Sequence, residues 1–191
     1  MTDLAELRDA ETPVYQPAED SRLLATVAVD HVDADERVLE VGTGSGYVAG
    51  TVAAETGARV VGSDVNPHAC EQARERGVET VRADLVTPFR DAVFDAVLFN
   101  PPYLPTDPET ERDDWMERAL SGGESGRAVI EPFLDAVGRV LAPDGHVFLL
   151  VSSLTGVDAV VERAAANGFS AVALRDESFP FETLTVLKLL R

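Results

Sequence analysis

Glu40-Val41-Gly42-Thr43-Gly44-Ser45-Gly46 joins a short β-branched run, Arg37 to Val41, to a helix-compatible stretch, Gly46 to Glu55, that stops near Gly57. A strand that ends in glycines and opens a helix is the first unit of an α/β sheet. Glycine at such a junction permits a tight turn and lets a ligand approach the backbone closely. The amides at the start of the following helix favour a negative or polar group. The spacing departs from the dinucleotide fingerprint, which places two residues before its last glycine; here Gly42, Gly44 and Gly46 alternate. Glu40 separates the two further. A carboxylate beside a pyrophosphate is repelled, whereas one near a sulfonium and an ammonium is favoured.

The alternation continues outward on both sides. Leu23 to Val29 reads as a helix that Asp20 or Ser21 can cap. Arg59 to Ser63 is a second strand, Pro67 to Arg76 a helix with proline at an early position, and Glu79 to Ala83 a short, charged third strand suited to a sheet edge. Phe94 to Phe99 is nearly all apolar, as expected of a strand covered on both faces. Tyr103 to Gly126 reads as a long polar connection. Arg127 to Leu141 is helical and ends at a Pro143-Asp144-Gly145 turn. His146 to Val151 is a fifth strand, Gly156 to Asn167 a helix, and Ser170 to Arg175 and Leu184 to Leu190 the last two strands, with a loop from Asp176 to Glu182. Residues 1–13 are expected to be a flexible N-terminus and 14–191 a single domain.

Two acids fall where strands end. Asp64 closes the second strand, where a carboxylate can take both hydrogen bonds from ribose hydroxyls. Asp84 follows the third, where it can accept from an adenine amino group. Asn100-Pro101-Pro102-Tyr103 follows the most apolar strand, at the carboxyl edge where ligands bind in open α/β sheets. Two prolines stiffen the backbone and remove two donors, leaving carbonyls exposed. The Asn100 side-chain oxygen and the Pro101 carbonyl can each accept from one planar NH2 group, and Tyr103 can stack on its plane. An amide or aryl-amine nitrogen is a poor nucleophile, so a site that holds it flat against an activated methyl donor catalyses mainly by positioning and electrostatics.

The order of these features resembles class I, S-adenosylmethionine-dependent methyltransferases that methylate amino groups. Within them the chain is most similar to the release-factor glutamine methyltransferases, in their short archaeal and eukaryotic branch. Val14-Tyr15-Gln16-Pro17-Ala18-Glu19-Asp20-Ser21 matches that branch's opening motif, with Gln16 where glutamate is frequent. Trp115 and Gly122-Gly123-Glu124-Ser125-Gly126-Arg127 match its loop after the Asn-Pro-Pro-Tyr motif. The longer bacterial branch carries an N-terminal helical substrate domain, for which no counterpart is expected here. The resemblance implies a Rossmann-like, seven-stranded, mostly parallel sheet with an antiparallel last strand and helices on both faces. It implies S-adenosylmethionine as cofactor, held by Tyr15, Pro17, Glu19, Ser21, Glu40, Gly42, Thr43, Gly44, Gly46, Asp64, Val65, Asp84, Leu85 and Asn100. It implies that Asn100 and Tyr103 also hold the substrate, so Asn100, Pro101, Pro102 and Tyr103 are the expected catalytic residues. It further implies the glutamine of a Gly-Gly-Gln loop in a translation release factor as substrate. A small zinc-binding activator subunit is the implied partner, pairing with edge strand Glu79 to Ala83.

Composition bounds the alternatives. The formal charge is −18 with Lys188 the only lysine, which disfavours free nucleic acid as a direct ligand and is expected of a protein adapted to a salty cytosol. The same four-residue motif serves adenine N6 methylation, but no basic cluster or target-recognition domain accompanies it. Lysine methylation requires acceptance of an sp3 amine, and a non-catalytic scaffold would not need Asp64 and Asn100. Cys70 stands alone and His31, His68 and His146 are scattered, so no metal site is expected. No apolar run reaches the ~18–20 residues of a membrane span and the first residues lack a signal-peptide pattern; a cytoplasmic protein is expected.

Overall fold

The computed structural model describes residues 13–107, 109 and 113–191. The expected flexibility of residues 1–13 therefore falls almost wholly outside the described residues.

Seven strands form one sheet in the order β3-β2-β1-β4-β5-β7-β6. They are β1 (Arg37–Val41), β2 (Arg59–Asp64), β3 (Glu79–Arg82), β4 (Phe94–Phe99), β5 (Leu141–Ser152), β6 (Ser170–Ser178) and β7 (Thr183–Leu190). β7 runs antiparallel between β5 and β6, and every other neighbouring pair is parallel. The helices are α1 (Glu19–His31), α2 (Tyr47–Thr56), α3 (Pro67–Glu75), α4 (Trp115–Leu120), α5 (Ile130–Val140) and α6 (Val157–Ala166). This is the expected architecture.

Strand alternation sorts the side chains into two cores. Val38, Ala96, Leu98, Phe148 and Leu150 face α1 and α2, meeting Leu24, Val27 and Val52. Leu39, Val97, Phe99, Val147 and Leu149 face α5 and α6, meeting Phe133, Leu134, Val137 and Val160. Both faces are covered, which is why β4 carries almost no polar residue. α3 seats Ala73 against Ala49 of α2. Among the described residues no helix is long and apolar enough to cross a membrane, and no cluster of three or more His, Cys, Asp or Glu side chains could hold a metal ion.

Three expectations need correction. α1 begins at Glu19 with Ala18 as its N-cap and no side-chain cap, so neither Asp20 nor Ser21 caps it. Asp20 instead accepts from the Tyr15 hydroxyl and from Asn100 Nδ2. The long connection after Tyr103 contains α4, capped by Asp114 accepting from the Glu117 amide at 2.8 Å. It is pinned to the body where Leu104 donates to the Leu120 carbonyl and accepts from the Gly122 amide. The Pro143-Asp144-Gly145 segment does not end pairing. β5 already begins at Leu141, which pairs with Phe94, and a register shift separates that pair from Ala96 and His146. Gly145 is required there because a Cβ would lie 2.9 Å from the Phe94 carbonyl oxygen.

Candidate active site

The sheet order reverses beside β1. Its neighbours are β2, reached by the first crossover, and β4, reached after β3. Ligands collect at the carboxyl ends of strands at such a switch point. In register, Val41 pairs with Phe99. The glycine turn that follows β1 and the Asn-Pro-Pro-Tyr corner that follows β4 therefore leave the sheet side by side, and a cavity of 440 Å³ opens between them. That volume lies within the ~300–1,000 Å³ of small-molecule sites.

The turn is built for its place. Gly42, Gly44 and Gly46 all have positive φ, at 65°, 52° and 77°. The Thr43 amide continues β2 pairing by donating to the Ser63 carbonyl at 2.8 Å. Asp64, at the end of β2, accepts the Gly44 amide on Oδ2 at 2.9 Å and the Asn66 amide on Oδ1 at 2.8 Å. Burial pushes its carboxyl up and these amides pull it back. Glu40 is buried under the turn. Its Oε2 accepts from the Thr43 hydroxyl at 2.5 Å and from the Ala49 amide at 3.0 Å. It thus supplies the N-terminal acceptor that α2, with Gly46 as N-cap, otherwise lacks. Burial without a cationic partner pushes Glu40 up to about 8.

The opening segment folds over this turn. Asn66 Nδ2 donates to the Pro13 carbonyl at 2.7 Å, and the Tyr15 carbonyl lies 3.8 Å from where a Gly44 Cβ would stand. Tyr15, Pro17 and Ser21 line the cavity. Opposite, the cavity is lined by Val65 beyond Asp64 and by Asp84 and Leu85 beyond β3. Leu85 holds φ 49°, a left-handed conformation sparsely used by branched side chains. Asn100, Pro101, Pro102 and Tyr103 complete the wall. Tyr103 is buried, and desolvation together with Asp20, Glu182 and Glu19 pushes its phenol well above its ordinary value. The Asn100 side chain donates from Nδ2 to Asp20 Oδ2 at 3.0 Å, while its Oδ1 is buried with no partner among the described residues.

Most of the side chains singled out in the sequence thus converge on one cavity. Two do not. Glu19 is not part of the lining, although its neighbours Asp20 and Ser21 in the first turn of α1 are. Gly46 is turned the other way, where an added Cβ would sit 2.8 Å from Ala73 Cα, so its requirement is helix packing. Glu40 does line the cavity, but one oxygen is already committed to Thr43 and the α2 amide. Sequence reasoning missed Asp20, Asn66, Trp115 and Arg118, which also line the cavity. The signal for Asp20 was present: a second carboxylate beside Glu19 that the helix start does not require. α4 supplies Trp115 and Arg118, the guanidinium standing 5.1 Å from the indole centroid.

These residues fit S-adenosylmethionine. Asp64 would hold the ribose hydroxyls, Glu40 under the turn would serve the cationic end, and Asn100, whose Oδ1 is buried with no partner among the described residues, stands in the same wall.

Comparison with known proteins agrees. A methyltransferase domain model matches residues 38–121. The candidate protein N5-glutamine methyltransferase of Methanocaldococcus jannaschii is 35% identical over 91% of this chain and 90% of its own length. The human methyltransferase HEMK2 is 31% identical over 95% of this chain and 91% of its own. The structure of the E. cuniculi Mtq2-Trm112 complex, responsible for methylation of the eRF1 translation termination factor, superposes with a TM-score of 0.78 at 30% identity, covering 94% of this chain and 99% of that one. The chain belongs to the release-factor glutamine methyltransferase family, in the branch of HEMK2 and Mtq2, and is an S-adenosylmethionine-dependent methyltransferase.

Proposed function

We propose that this enzyme methylates the side-chain amide nitrogen of the glutamine in the Gly-Gly-Gln loop of a translation release factor. The observation that carries the reading is the buried, partnerless Asn100 Oδ1 at the head of a diproline corner, beside the buried Tyr103 ring. An unpaired buried acceptor costs about 1–3 kcal/mol, which a substrate NH2 recovers on binding. Asn100 Oδ1 and the Pro101 carbonyl take the two amide protons, and Tyr103 covers the plane. That hold aims the nitrogen at the methyl carbon and raises its effective concentration. The cofactor supplies an activated methyl on a sulfonium. As the nitrogen–carbon bond forms, the carbon–sulfur bond breaks, and the alkylated nitrogen sheds its proton to water without an obligatory base.

The edge position of β3, which among the described residues pairs only with β2, supports strand addition by a small zinc-binding activator subunit. The charge of −18 with one lysine supports a cytoplasmic protein working in concentrated salt, whose melting temperature rises when salt goes from about 0.1 to about 2 M.

The test offers labelled S-adenosylmethionine with three acceptors in parallel: a peptide spanning a Gly-Gly-Gln loop, duplex DNA and a histone-tail peptide. Label on the glutamine peptide, lost in Asn100→Ala while the cofactor still binds, supports the proposal. Label on DNA or on lysine instead overturns it.

A further inference from the structure

The Asn100 amide has two orientations that differ by a 180° flip, and only the one with Oδ1 facing the cavity can accept from a substrate NH2. The choice is made eighty positions away in sequence. Asp20, buried in the first turn of α1, presents Oδ2 to both the Tyr15 hydroxyl and Asn100 Nδ2, each at 3.0 Å. An ionised carboxylate only accepts, so it admits the nitrogen of Asn100 and excludes the oxygen. Asp20 is itself anchored. Its Oδ1 accepts from the Ser21 amide at 2.5 Å and from the Ser21 hydroxyl at 3.1 Å.

We infer that Asp20 is a positioning residue for methyl transfer: its carboxylate sets the flip state of Asn100 and so keeps the acceptor oxygen aimed at the substrate nitrogen. The inference rests on the reading of Asn100 Oδ1 as the substrate's acceptor. It makes an unusual prediction about two substitutions. In Asp20→Asn the Ser21 amide still demands an oxygen, so the new side chain turns its NH2 toward Asn100. Asn100 must then present Oδ1 to that NH2 and its own NH2 to the cavity, where it repels the substrate's donors. In Asp20→Ala nothing imposes either orientation, and a fraction of molecules stays competent. The isosteric change is therefore worse than the truncation. A residue that merely supports α1 shows the reverse order.

The experiment uses the full chain, labelled S-adenosylmethionine and the Gly-Gly-Gln peptide. Asp20→Asn is expected to lower kcat on the order of 100-fold, the cost of a misplaced reacting group, with cofactor affinity within about threefold of wild type. Asp20→Ala loses less. In an Asn100→Ala background Asp20→Asn has no further effect, because nothing is left to orient. A second readout needs no turnover. In wild type, one side-chain amide proton of Asn100 is protected from exchange by Asp20, as NMR reads it; in Asp20→Asn that protection moves or vanishes. The inference is overturned if Asp20→Asn keeps kcat within about twofold, if Asp20→Ala is the more damaging change, or if the two sites are additive. If an Asp20 variant does not fold, absence of the protected proton in wild type overturns it. Should Asn100→Ala itself turn over normally, the substrate reading fails first, and the protected proton reports on the Asp20–Asn100 lock separately.

Discussion

Asp64 Oδ2 accepts the Gly44 amide at 2.9 Å, which ties the glycine turn after β1 to the acid that ends β2. The acid shapes the turn as well as facing the cavity. Its oxygens hold the Gly44 and Asn66 amides, with the Val65 amide adding a further backbone bond.

Asp64→Ala should therefore weaken S-adenosylmethionine binding by about 1.5–3 kcal/mol, the scale of lost bonds to a charged acceptor. Asp64→Asn should recover only part of it, since an amide replaces one acceptor by a donor. Calorimetric titration decides. A dissociation constant unchanged in the alanine variant removes the ribose role.

Glu40 links cofactor binding to pH. Burial pushes its carboxyl from 4.5 up to about 8 in the folded protein. The protonated form is the one the ligand-free fold prefers. That contribution to stability is complete below about 4.5 and is lost as pH rises to about 8. A cationic ligand reverses the preference and selects the carboxylate. Binding of S-adenosylmethionine at pH 7 should release a proton, seen as a binding enthalpy that changes with the ionisation enthalpy of the buffer. Glu40→Gln should abolish that dependence; equal enthalpies across buffers in wild type would show that Glu40 does not meet the cation.

Gly46 serves packing. At φ 77° a side chain is strained, and its Cβ would stand 2.8 Å from Ala73 Cα and Cβ, where backbone cannot yield cheaply. Gly46→Ala should cost about 2–4 kcal/mol, combining left-handed strain with overpacking. Chemical denaturation reads it. A Gly46→Ala protein as stable as wild type would mean that α2 and α3 separate freely.

His146 should set the acid limb of stability. Its ring is buried edge-on to Phe148 with no partner for Nε2 among the described residues. Burial, helped by Lys188 and His31, lowers it from 6.5 to about 4. The neutral form is favoured in the fold, so its contribution is present above about 6.5 and is lost as pH falls toward 4. His146→Phe should shift the fall in melting temperature to lower pH. An unmoved acid limb would assign it to other groups.

Local sequence determined much of this molecule. The strand at Phe94 to Phe99 was legible because a run covered on both faces has nowhere to put polar atoms. The glycine turn was legible because three positive-φ positions in alternation admit little else. The diproline corner was legible because its stiffness is covalent. Tertiary structure decided the rest. α4 was hidden because six residues carry a weak period, and its order comes from the bonds of Leu104 to Leu120 and Gly122. Gly145 read as a turn residue because its true constraint is the carbonyl of Phe94 on another strand. Asp20 read as a helix cap because its partners Tyr15 and Asn100 meet it only after α1 folds against the carboxyl end of β4. A hydrogen bond between distant segments leaves no periodicity in the chain, so the residue that orients the acceptor became visible only in three dimensions.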